Sequence, residues 1–129
     1  MRIGELAEAS GTTTKTLRFY EGQGLLPAPD RTPSGYRDYA PNMLARLDFI
    51  HRGQAAGLTL AQIKQILGIR DGGTSPCGHV SELLAARLAN INAQIAGLVE
   101  LRRTITELHD NASVAEPDTC PPDEVCRYL

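Results

Sequence analysis

The spacing of apolar positions changes along the chain, and each change predicts a different element. Over the first 26 residues Ile3, Leu6 and Ala7 share one helical face, and Ser10, Gly11 and Thr12 interrupt it. A second helix is predicted from about Thr13 to Glu21, with Leu17 pointing to the core. Two short helices around a tight turn have helix-turn-helix spacing. The other face of the second helix carries Thr13, Lys15, Arg18 and Tyr20, hydrogen-bond donors and cations suited to phosphates and groove edges.

Residues 27–40 cannot continue as helix, because Pro27, Pro29 and Pro33 each lack a backbone donor and Gly35 invites a turn. A short hairpin fits better, with Tyr36, Arg37, Asp38 and Tyr39 as strand candidates and Arg31 and Arg37 on a projecting loop, as expected of a wing. Pro41 opens a predicted helix to about Ala56, with Leu44, Leu47 and Ile50 at helical spacing. Gly57 ends it, and Thr59 caps another helix through Ile63, Ile66 and Leu67. A linker rich in glycine follows, from Gly68 to Pro76.

From Gly78 to about Asn111 runs one long amphipathic pattern without proline. Leu84, Leu88, Ile91, Ile95, Leu98 and Ile105 follow helical spacing, with Arg102 interrupting the seam. A helix of that length, about 50 Å at 1.5 Å per residue, cannot hide such a stripe by itself. It needs a partner helix, and self-association is the simplest source. The last stretch, from Ala112 to Leu129, reads as a loop rich in Asp, Glu and Pro, then a single helical turn opened by Pro121 and Pro122.

With 129 residues, 42% of them hydrophobic and 5% aromatic, the chain suits one small helical domain with an extended helical appendage and leaves little room for a large enzyme. No apolar run reaches transmembrane length and the start lacks a signal-peptide core, so a cytoplasmic protein without membrane association is expected. The net charge of −2 hides an asymmetry. Residues 1–70 hold nine Lys and Arg against six Asp and Glu, a net +3, whereas residues 71–129 hold four against nine, a net −5. The first part can face phosphate while the second faces water or a cation. There is no phosphate-cradling glycine loop, no CxxC pair and no ordered Ser, His and Asp set, so no enzymatic activity is expected.

The segments IGELAEASGTTTKTLRFYEGQGLL and RTPSGYRDY, with the elements after them, resemble the MerR family of bacterial transcription regulators over essentially the whole chain. The resemblance implies a mainly α fold: a winged helix-turn-helix DNA-binding domain over 1–70, a linker over 71–77, a dimerisation helix over 78–111 that forms an antiparallel coiled coil, and an effector-binding loop with a terminal helical turn over 112–129. It implies DNA contacts by Thr13, Lys15, Arg18 and Tyr20 from the recognition helix, and by Arg31, Tyr36 and Arg37 from the wing. Tyr39 is expected to pack the hairpin. Family members are homodimers that activate promoters with an over-long spacer: effector binding makes the dimer kink and untwist double-stranded DNA so that RNA polymerase engages both promoter elements.

The three cysteines, Cys77, Cys120 and Cys126, flank the long helix, so one chain cannot bring them together, but an antiparallel dimer can, at two equivalent sites. Three thiolates form a soft anionic cage suited to a divalent soft metal ion, Zn, Cd, Pb or Hg. His79, Asp123 and Glu124 are candidate fourth ligands or supporting partners, His79 first among them. A Cys at position 77 is similar to that of the divalent-ion sensors of the family, whereas its monovalent-ion sensors have Ser. The metal-sensing branch also places a loop Cys at the end of the dimerisation helix, where this chain has Ala112. Cys120 falls near the family's second loop Cys, leaving Cys126 as the substitute ligand. A thiol redox or small-ligand sensor of the same family is the alternative. A coiled-coil adaptor without DNA binding is the rival class, and it leaves the basic helix and wing unexplained.

Overall fold

The computed structural model describes residues 1–113 and 120–129, so residues 114–119 of the loop expected over 112–129 lie outside the described residues. The elements are α1 (Ile3–Ser10), α2 (Thr14–Gly22), β1 (Asp30–Arg31), β2 (Arg37–Asp38), α3 (Met43–Ala55), α4 (Leu60–Asp71) and α5 (Cys77–Ser113). By internal contacts the chain forms two units, Met1–Leu84 and Ala85–Leu129.

In the first unit, α1 packs on α2 and α3, and α3 packs on α4. Leu6, Leu17, Leu25, Leu26, Leu47, Ile50, Ile63 and Ile66 are buried together with Tyr39. Water exclusion from these side chains is the main favourable term holding four short helices and a hairpin that would not persist alone. Local chemistry sets the bounds. Gly11 ends α1 at φ 68°, a left-handed conformation that a side chain disfavours, and this makes the sharp turn into α2. Thr13 caps α2 by accepting from the Thr16 amide, and Thr59 forms a reciprocal capping box with Gln62 at the start of α4. The hairpin is antiparallel, with Asp30 opposite Asp38 and Arg31 opposite Arg37.

Several expected bounds shift. The hairpin strands are two residues each, so Tyr36 and Tyr39 flank β2 instead of belonging to it. Pro41 precedes α3 within a turn in which the Met43 amide donates to the Ala40 carbonyl, and the helix proper starts at Met43. α5 begins at Cys77 and continues through Ala112 to Ser113, because the Val80 amide already donates to the Pro76 carbonyl. Cys77 therefore lies in the first turn of the long helix and not ahead of it, and Ala112 is helical. The expected terminal helical turn does not form. Glu124 donates to the Pro121 carbonyl, but the next bond, from Leu129 to Cys126, does not continue it. α5 buries none of its residues within the chain: Leu84, Leu88, Ile95, Leu98 and Ile105 are between 45% and 65% exposed.

Candidate nucleic-acid interface and cysteine positions

α2 presents Thr13, Lys15 and Arg18 to solvent. The Thr13 hydroxyl is already engaged at the helix end, accepting from the Thr16 amide at 3.1 Å and donating to the Thr16 hydroxyl at 2.9 Å. Tyr20 does not share the exposed face expected of it from the sequence. It is 5% exposed, sits in the core, and its hydroxyl donates to Gln54 Oε1 at 3.3 Å. The reason was present in the sequence, since Tyr20 follows Leu17 by three residues and so shares its buried helical face.

The hairpin carries Arg31, Tyr36 and Arg37 as a projecting wing. The Thr32 amide donates to the Tyr36 carbonyl at 2.8 Å, the Tyr36 amide donates to the Thr32 hydroxyl at 3.1 Å, and Arg31 Nη1 donates to the Gly35 carbonyl at 3.0 Å, which stiffens the tip. The fold brings Arg18 from α2 together with Arg31, Tyr36 and Arg37 from the wing around one surface hollow of about 170 Å³. Arg2, ahead of α1, joins them, its guanidinium carbon 4.6 Å from the centre of the Tyr36 ring. Nothing in the sequence pattern pointed to Arg2. It arrives here because the Tyr39 amide donates to the Met1 carbonyl at 2.7 Å, pinning the chain start along the wing.

Glu21, at the far end of α2, was also missed. Its Oε2 accepts from the Tyr39 hydroxyl at 2.9 Å and lies 3.5 Å from Arg37 Nε, joining the recognition helix to the wing. Burial, reinforced by the hydrogen bond to the Glu21 carboxylate, pushes the Tyr39 phenol up to about 12. Tyr39 is buried as expected of a packing residue. A second tie lies behind α2, where Arg46 donates through Nε to the Leu25 carbonyl at 2.7 Å and grips both oxygens of Asp71 at 2.8 and 3.0 Å. This bidentate pair holds the Asp71 carboxyl below the usual carboxylate range.

The cysteines are free thiols. Cys77 is exposed at the start of α5 and borders an apolar hollow of about 350 Å³ with Phe49, Ile66, Leu67 and Pro76. Two residues on, His79 Nε2 is buried without a hydrogen-bond partner among the described residues. Cys120 is half-buried and Cys126 exposed. Among the described residues, no three His, Cys, Asp or Glu side chains of a single chain come together as a metal-holding group. Within those residues, no helix is long and apolar enough to cross a membrane. His51 is half-buried with Nε2 3.3 Å from the Thr12 hydroxyl, while His109 is exposed beside Asp110.

Comparison with known proteins agrees with this layout. Residues 1–68 match the model of the MerR HTH family regulatory protein, and residues 44–108 match that of the MerR DNA-binding region. The mercuric resistance operon regulatory protein of Bacillus cereus is 37% identical over 109 residues, covering 84% of this chain and 83% of its own. A probable heavy metal-dependent transcriptional regulator of Haemophilus influenzae is 35% identical over 120 residues, covering 93% and 94%. Among solved structures, the transcription regulator PbrR691 from Ralstonia metallidurans CH34 in complex with lead(II) superposes with a TM-score of 0.74 at 37% identity, over 93% of this chain and 94% of that one. With its helix-turn-helix, wing and long helix in the same order, the chain belongs to the MerR family of DNA-binding transcription regulators.

Proposed function

We propose that this protein is a metal-responsive transcription regulator that binds promoter DNA as a homodimer and activates transcription when a soft divalent ion, Zn, Cd, Pb or Hg, is held between its subunits. The observation that carries the reading is the position of the thiols. Cys77 occupies the first turn of α5, and Cys120 and Cys126 come after Ser113 in the chain, so the rest of the helix lies between them in sequence. An antiparallel pairing of two such helices sets Cys77 of one subunit beside the loop of the other. The apolar residues left exposed along α5 supply the face for that pairing.

The donor set fits such an ion. Three thiols favour soft metals, and the buried Nε2 of His79, without a hydrogen-bond partner among the described residues, is a candidate fourth ligand. When bound, the ion would cross-link thiolates of two subunits and so favour one arrangement of the dimer over another. The thiols must lose their protons, which makes affinity fall at low pH. Lys15, Arg18, Arg31 and Arg37 hold the DNA backbone from α2 and the wing, and Tyr36 lines the same surface. Bending and untwisting the promoter costs deformation energy that these contacts offset, and it brings the promoter elements into reach of RNA polymerase. The site of action is the cytoplasm, where the promoter DNA is.

The test is transcription in vitro from the protein's own promoter, with reduced protein and each metal in turn. Cys77→Ser, Cys120→Ser and Cys126→Ser should each bind promoter DNA with wild-type affinity and lose metal-dependent activation. Full activation in the Cys126 variant would contradict its place as a ligand. Activation by peroxide without any metal would move the reading to a thiol redox sensor.

A further inference from the structure

The basic hollow between α1 and the wing contains a residue that neither the motif nor the wing accounts for. Arg2 precedes α1, and its guanidinium lies 4.6 Å from the Tyr36 ring centre, within the roughly 6 Å range of a cation–π contact. Arg18, Arg31 and Arg37 border the same cavity of about 170 Å³, and no carboxylate lines it. Four guanidinium groups converging on one hollow repel one another unless an anion lies among them. Arg37 is partly neutralised by Glu21 at 3.5 Å on its inner side, and Arg31 donates one N–H to the neutral Gly35 carbonyl, so among the described residues Arg2, Arg18 and Arg31 have no carboxylate within salt-bridge distance.

Backbone bonds hold Arg2 in place. Its amide donates to Glu5 Oε1 at 3.2 Å, its carbonyl accepts from the Leu6 amide at 3.0 Å, and the preceding residue is tied to Tyr39. The Tyr36 ring, 56% exposed, gives the guanidinium a flat surface that fixes its plane and leaves its edge N–H groups free. We propose that Arg2 is a DNA-contacting residue, with Tyr36 as its platform, and that Arg2, Arg18, Arg31 and Arg37 together seat one backbone phosphodiester at the wing. The seat reads charge and not sequence, because guanidinium contacts to phosphate oxygens carry no base information.

This inference rests on the DNA-binding reading, and one experiment separates the two. Affinity of the full-length protein is measured by fluorescence anisotropy across a salt series, on a mixed-sequence duplex and on an operator duplex selected from a random library with the wild-type protein. For Arg2→Gln the expected result is a loss of roughly three- to tenfold at low salt, equal on both duplexes, with the slope of log K against log salt shallower by about 0.9 for each seat. Tyr36→Leu, which removes the aromatic platform, should reproduce the Arg2→Gln loss. Arg2→Lys, the second variant should Arg2→Gln fold poorly, should keep the wild-type salt slope while losing part of the affinity. A wild-type slope in Arg2→Gln, or a loss confined to the operator, overturns the seat while leaving DNA binding intact. Failure of the wild-type protein to bind either duplex removes the DNA-binding reading and the seat with it.

Discussion

Glu21 sits where three roles meet, since one carboxylate touches the Tyr39 hydroxyl and faces the Arg37 guanidinium while belonging to the recognition helix. Because the phenol is raised to about 12, the folded protein favours neutral Tyr39. Its contribution is complete below the ordinary tyrosine value of about 10 and is lost as pH climbs through about 12. Glu21→Gln removes the hydrogen-bonded charge but keeps the burial, so a titration followed by tyrosinate absorbance should show the component near 12 moving down towards the ordinary value. An unmoved component would show that the carboxylate contributes nothing to that shift. At this scale the sequence was a partial guide. Arg18, Arg31, Tyr36 and Arg37 were legible because the helix face and the proline-bounded hairpin locate them. Arg2 and Glu21 were not, because a backbone pairing and a helix end bring them to the wing, and no periodicity records either.

Among the elements, the helices were read to within a residue or two wherever a capping residue marks an end, as Thr13 and Thr59 do. Errors arose at prolines. Pro76 starts α5 earlier than the apolar pattern does, since its carbonyl accepts the first helical bond, whereas Pro121 and Pro122 start a turn that does not propagate. The approach of α3 to α4 depends on Gly53, where a Cβ would meet Ile63 Cδ1 and Cγ1 at 3.0 Å. Ile63 is fully buried and cannot swing away. Gly53→Ala sets a helix-propensity gain of about 1 kcal/mol against an overpacking cost of about 1–3 kcal/mol. The expected outcome in urea unfolding is a net loss of about 1 kcal/mol, and a gain in stability would show that the two helices are not in tight contact there.

For the whole molecule, the sequence carried its message in what one chain lacks. A stripe of half-exposed Leu and Ile along α5 is left without cover within the chain, and the proposed antiparallel pair would cover it and bring the thiols of two subunits together. The charge division follows the same logic, with a net +3 over residues 1–70 for the DNA and a net −5 over residues 71–129 in the part that carries the thiols. What composition could not supply is the rank order among soft metals, because affinity follows the ligand type before it follows biological need.

The most direct measurement is metal stoichiometry in a mixed dimer. One subunit carries Cys77→Ser and the other carries Cys120→Ser with Cys126→Ser, the two are co-purified on different tags, and lead(II) or mercury(II) is titrated while thiolate-to-metal absorption is followed. Each variant homodimer should show no tight site, the wild type two, and the mixed dimer one, because its single intact Cys77 faces its single intact loop. A mixed dimer as inert as its parents would contradict a site shared between subunits.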